Sequence, residues 1–162
     1  MKMNNLEKLL VEELKDLYSA EKQITEALPK MVDKAEAPAL RQAFEDHLQK
    51  TESHLQRLEY AFDGLEVEDR EKHCKGMQCL IEEGEEIASE ATDANTRDAA
   101  LIAAAQRVEH YEIAGYGTVV SYAHELERHD IAEHLQTTLR EEKEADMLLI
   151  QIAENEVNHE AL

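Results

Sequence analysis

Apolar residues recur along this chain at steps of three and four, the spacing that lines one face of an α-helix. The first stripe is Leu10, Leu14, Leu17, Ile24, Leu28 and Met31, which predicts a helix from Asn4 to Ala35. Pro29 lies inside it and is expected to kink the last turns, because its ring crowds the carbonyl of Thr25. A second helix begins near Pro38, a natural first-turn residue, and carries Leu40, Phe44, Leu48, Leu55, Leu58 and Phe62. Gly64 is expected to close it as a C-cap. A shorter amphipathic piece follows, with Met77, Leu80, Ile81, Gly84, Ile87 and Ala91 on one side and glutamates on the other. It breaks at Thr92 to Asn95, where Asn95 and Asp98 read as a variant capping box. The fourth segment, Thr96 to Leu126, places Leu101, Ala105, Val108, Val119, Ala123 and Leu126 on its stripe. The last runs from Asp130 to Val157 with Ile131, Leu135, Leu139, Leu149, Ala153 and Val157. Four long helices and one short one, joined by brief connections, predict an all-α helix bundle.

Composition supports that picture. The 162 residues make one domain, 1–162, and the five glycines and two prolines leave little turn material for an all-β fold. With 37 acidic against 17 basic residues the net charge is −20, which argues against nucleic acid as a partner, since phosphate contact needs clustered Lys and Arg. That charge does favour attraction of cations. No apolar run is long enough to span a membrane, and acidic residues interrupt any apolar core near the amino end, so neither a membrane partner nor a secretory signal is expected. Cys74 and Cys79, read as five apart on a helix, point in different directions, and a reducing cytoplasm is the simple expectation.

The informative positions are polar ones that fall inside the stripes. Leu10, Leu14, Leu17, Glu21, Ile24 and Leu28 step by four, three, four, three and four, so Glu21 occupies a core position. Glu109 and Glu112 share a face with Val108, Tyr116 and Val119. Glu142 and Asp146 continue Leu135, Leu139 and Leu149. On the second helix Thr51 interrupts the stripe, with His47 at its edge and His54 two turns beyond. Five inward carboxylates without compensation are costly to bury, and the same stripes hold no Arg or Lys. Water, shared protons or divalent cations are the remaining compensations; oxygen-rich donors with one or two imidazoles suit iron and manganese. Tyr116 is placed either to donate to one of these carboxylates or simply to fill the core. His110 lies off the stripe, and His73, His124, His129, His134 and His159 read as solvent-facing. Glu156 and His159, the one Glu-x-x-His of the chain, face away from the stripe.

The stretches Leu17-Tyr-Ser-Ala-Glu-Lys-Gln23, His47-Leu48 with Thr51, Arg97 through Ile113, and Glu141-Glu-Lys143 resemble the YciE/YciF family of ferritin-like proteins over nearly the whole chain. The resemblance implies a ferritin-like four-helix bundle with an added short helix. It further implies a homodimer, an association with bacterial stress, and a kinship to rubrerythrins and dimanganese catalases. Carried over by position, the family's acidic residues match Glu21, Glu109, Glu112 and Glu142, and its histidine matches His47; His54 and Asp146 stand as further ligands or their partners. One or two iron or manganese ions would then be held, with ferroxidase or peroxide-consuming chemistry, the alternative being a structural dimer with a metal-free polar core. Where relatives often carry Glu three residues after that histidine, this chain has Lys50, whose long stem can bend inward to neutralise an acid.

Overall fold

A computed structural model describes residues 5–162. Met1 to Asn4, which include the predicted helix start at Asn4 and part of the amino-terminal stretch read against a secretory signal, lie outside the described residues. The helices are α1 (Leu6–Lys34), α2 (Pro38–Gly64), α3 (Lys75–Glu90), α4 (Ala94–Glu125) and α5 (His129–Ile152), which runs on through a π turn, Ala153–Val157, into a final turn, Asn158–Glu160. No strand occurs among the described residues.

Each helix starts where its capping chemistry allows. Asn5 accepts from the Lys8 amide at 2.9 Å, and Pro38 supplies a first-turn residue with no N–H to satisfy. Asp93 caps α4 by accepting from Thr96 N at 2.9 Å. This corrects the expected Asn95–Asp98 capping box: Asp98 is buried and instead accepts from the amides of Glu36 (2.9 and 3.2 Å) and Ala37 (2.7 Å). It thereby ties the turn between α1 and α2 to the first turn of α4.

α1 continues through Pro29 to Lys34, one residue short of the expected end at Ala35. One further expectation changes. Gly64 is the last residue of α2 rather than a left-handed cap; the left-handed residue is Glu66, at φ 56°. Gly64 matters for space, because a Cβ there would sit 3.3 Å from Arg128 Nη2 and 3.4 Å from the Ile131 side chain. In α3 the buried residues are Met77, Gly84 and Ala88, while Ile87 is exposed.

α1, α2, α5 and α4 form a ring in which α1 packs on α2 and α4, and α5 packs on α2 and α4. Cross-helix pairs run antiparallel: Glu36 and Ala37 meet Asp98 while Tyr116 meets Glu21, and His54 meets Glu141 while Tyr60 meets Asp130. α2 and α4 therefore run parallel across the diagonal. The long crossover between them carries α3, which lies against α1 and α4.

The apolar core is split in two. One cluster gathers Ile24, Leu28, Phe44, Met77, Leu101 and Leu149; the other gathers Leu10, Leu14, Leu58, Phe62, Val119 and Leu135. Between them, at mid-bundle, lies a polar layer. Gly115 lets α4 approach α1 there, since a Cβ would meet Leu17 Cδ2 at 2.7 Å.

Asp98→Ala leaves the Glu36 and Ala37 amides unpaired in the α1–α2 turn. The expected cost is about 1.5–3 kcal/mol, read as a lower urea midpoint at unchanged slope; an unchanged midpoint would show that the tie contributes nothing.

Candidate metal centre

The polar layer is built from the four long helices by their own periodicity. Glu21 lies one turn from both Leu17 and Ile24 on α1, and Glu109 and Glu112 are neighbours on one face of α4. His47 and His54, two turns apart on α2, point the same way, and Glu142 comes from α5. All six side chains are buried.

Distances between them are short. His54 Nδ1 lies 2.8 Å from Glu142 Oε1 and 3.3 Å from Glu21 Oε1. His47 Nε2 lies 3.5 Å from Glu109 Oε1 and 3.8 Å from Glu142 Oε2. Tyr116 donates its hydroxyl proton to Glu21 Oε1. On the far side, His54 Nε2 is 3.0 Å from Glu141 Oε2, and Arg57 grips Glu141 through two contacts of 2.6 and 3.1 Å. Two donor sets result: His47, Glu109, Glu112 and Glu142, and Glu21, His54 and Glu142. Within each set one donor atom per residue lies within 4.8 Å of the others, and Glu142 belongs to both.

Burial dominates the electrostatics. It raises the carboxyls of Glu109 and Glu112 well above the ordinary range, and the neighbouring acids add to the effect. Glu21 is raised by burial too, although the bond with His54 opposes it. Burial also works against a charge on His54, but Glu142 and Glu21 outweigh it and push its pKa up to about 10. Glu142 in turn is held below the ordinary carboxylate range, because His54 and His47 outweigh its burial. His47 is lowered by burial, with the charges of His54 and Lys50 adding to the effect, so its contacts with Glu109 and Glu142 are not ion pairs at neutral pH.

Protons alone leave this layer badly satisfied. Among the described residues, nine buried side-chain N and O atoms make no well-aligned hydrogen bond, and all nine belong to Glu21, His47, His54, Glu109, Glu112 and Glu142. Two of them, His54 Nδ1 and Glu142 Oε1, still meet in the 2.8 Å contact, which leaves seven with no close partner of that kind. Buried polar atoms are ordinarily paired, so so many orphans at one point call for a common partner. The donors of each set lie close enough together that one cation could be held between them. Carboxylate oxygens with two imidazoles fit iron or manganese.

The chain also matches known proteins. The family described as a domain of unknown function, DUF892, matches residues 5–162. This chain belongs to the DUF892 family. Protein YciF of Escherichia coli K12 is 41% identical over 162 residues, covering 99% of this chain and 98% of that one. The crystal structure of the E. coli stress protein YciF superposes with a TM-score of 0.90 at 42% identity, covering 96% and 99% of the two chains. YcfI of Rhodopseudomonas palustris gives 0.91 at 42% identity, covering 94% and 97%. A Xanthomonas campestris protein at 22% identity and a TM-score of 0.74, covering 98% and 100%, shares the fold alone.

In this DUF892 chain, six of the seven side chains expected as ligands come together. Asp146 joins neither set: its oxygens face Gln106 Nε2 and His110 Nε2, both at 3.2 Å, at the edge of the layer. Lys50 does not bend inward to neutralise an acid; it lines an outer cleft and pairs with no carboxylate. Tyr116 does reach a carboxylate, that of Glu21 rather than of Glu112 one turn away. Glu141 and Arg57 were not among the expected site residues. Their signal was faint, an arginine one turn after His54 and an acid beside Glu142, and helical spacing cannot tell a pair across two helices from two solvated charges.

These shifts set a pH dependence. His54 binds its proton more tightly folded than unfolded, as do Glu109 and Glu112, so the stability they contribute is present at low pH and lost as pH rises through their folded values. The opposite shifts of His47 and Glu142 act only below their ordinary values of 6.5 and 4.5. In chelator, stability is therefore expected to fall between pH 7 and 9 by about 1 kcal/mol per pH unit on account of His54, read as a falling melting temperature. A flat or rising profile would contradict the proton-holding layer.

Proposed function

We propose that this protein binds iron or manganese inside its helix bundle. One ion is held by His47, Glu109, Glu112 and Glu142, and a second by Glu21, His54 and Glu142, with Glu142 common to both. The convergence on these six residues of all nine buried atoms without a well-aligned hydrogen bond carries the proposal. Tyr116 orients Glu21, while Arg57 and Glu141 fix the His54 ring from its outer nitrogen. The bundle architecture is that of the ferritin-like proteins, in which facing helices supply carboxylates and imidazoles to a common interior. Such a pair of ions, when bound, supplies redox chemistry toward dioxygen or peroxide, which makes ferroxidase or peroxide consumption the activity to assay. Likeness to the E. coli stress protein supports a stress response as the setting, and the family resemblance seen in the sequence adds a homodimer.

A second reading is favoured by one observation. A protonated His54 between Glu142 and Glu21 can hold the layer together without metal, leaving a structural protein with a polar core.

Metal analysis separates the two. Protein purified without tags or chelators and reconstituted with Fe²⁺ or Mn²⁺ is expected to hold at least one ion per chain and to gain about 2.7 kcal/mol of stability at a free ion concentration near 100 Kd. Glu21→Ala and Glu112→Ala lose most of that binding. Fewer than about 0.1 equivalents, with an unshifted melting temperature, would leave the structural reading.

A second check is a reversal of sign. In chelator, Glu112→Gln removes one of several crowded acids and is expected to raise the melting temperature by a few degrees, about 2–4 °C; with Mn²⁺ present it is expected to lower it relative to wild type. The same sign under both conditions would count against a bound cation.

A further inference from the structure

The buried layer is sealed at one end and only thinly covered at the other. At the closed end, the side chains of Glu21, His54 and Glu142 are 0% exposed, and the Arg57–Glu141 pair lies across the outer nitrogen of His54. At the thinly covered end, the His47 and Glu109 side chains are 7% and 4% exposed. Both form part of the wall of a cleft of about 480 Å³ between α2 and α5. Asp46, Lys50, Ser53 and Glu144 line its outer part. Lys50 stands one turn after His47 and lines the same cleft. Among the described residues no carboxylate pairs with it.

We propose that divalent cations enter and leave the interior through this α2–α5 cleft, and that Lys50 is the charge that slows their passage. This rests on the metal-binding reading above. Asp46 and Glu144 at the mouth gather cations from solution, as acidic clefts do. Next on the path is Lys50, which repels a dication where walls of low dielectric reduce screening. His47, whose two ring nitrogens make no hydrogen bond, lines the inner wall of the cleft and is the first donor a cation meets inside. Lys50 acts on the rate in both directions, whereas the donor sets determine how much is bound. A cation that has passed it is correspondingly slow to leave.

The rates of uptake and release test this with metal alone. Mn²⁺ or Co²⁺ is added to metal-free protein, and its loss to EDTA is followed from the loaded protein, in wild type, Lys50→Ala, Lys50→Glu and Ala145→Trp. Ala145 lines the cleft from α5 and belongs to neither donor set, so tryptophan there narrows the passage. Lys50→Ala is expected to speed uptake and release about threefold to tenfold, and Lys50→Glu to speed uptake further. Ala145→Trp is expected to slow both by at least about tenfold, with ions per chain at saturation unchanged in the alanine and tryptophan variants. Rates within about twofold of wild type in both Lys50→Ala and Ala145→Trp would overturn the route while leaving the metal centre intact. A wild-type protein that takes up no ion would remove the centre and the route together.

Discussion

Four carboxylates and two imidazoles share one buried layer at the middle of this bundle, and much else in the structure answers to that. A buried carboxylate must be neutralised by a proton, a paired cation or a metal, because burial in low dielectric penalises its charge by several kcal/mol. Here three acids are pushed toward their protonated forms, one histidine is pushed toward its charged form, and the arginine nearby is engaged by Glu141 instead. What is left over is a set of lone pairs aimed at common points. The split core follows from the same constraint: apolar clusters pack on either side of the layer and keep water from it.

The scaffold is arranged to hold this layer still. Each of the four long helices contributes at least one donor, so the set exists only when the ring of helices is closed. The turn between α1 and α2 is tied by Asp98 to the start of α4, well away from the donors. Gly115 brings α4 close to α1 beside the contact of Tyr116 with Glu21. Arg57, Thr138 and Glu141 link α2 to α5 behind His54. Of the two sets, the one containing His54 is the more tightly supported from outside, and the one containing His47 is the more accessible.

Membership of the DUF892 family and the likeness to YciF agree with this architecture over nearly the full chain. No helix among the described residues is long and apolar enough to cross a membrane. The functional argument therefore rests on the chemistry of the interior, where an unusual concentration of unpaired donors is set inside an otherwise ordinary helical core.

Much was legible from the amino-acid order, and the reason is periodicity. A helix repeats every 3.6 residues, so Glu21 between Leu17 and Ile24, or Glu112 between Val108 and Tyr116, declares its facing locally, and one stripe per helix suffices to predict a bundle. What helical spacing does not carry is the relation between helices. Glu141 and Arg57 look like surface charges until α2 and α5 are placed side by side; Asp146 shares a helix face with Glu142, but only the assembled bundle shows that Gln106 and His110 reach it. Asp98 reads as a local cap, yet its partners lie 61 and 62 residues away. Sequence by itself determined which face of each helix turns inward, because that depends on rotation about a single axis. Only the tertiary structure decided which inward groups meet, which are shared, and where solvent reaches them, because those depend on the distances between separate axes.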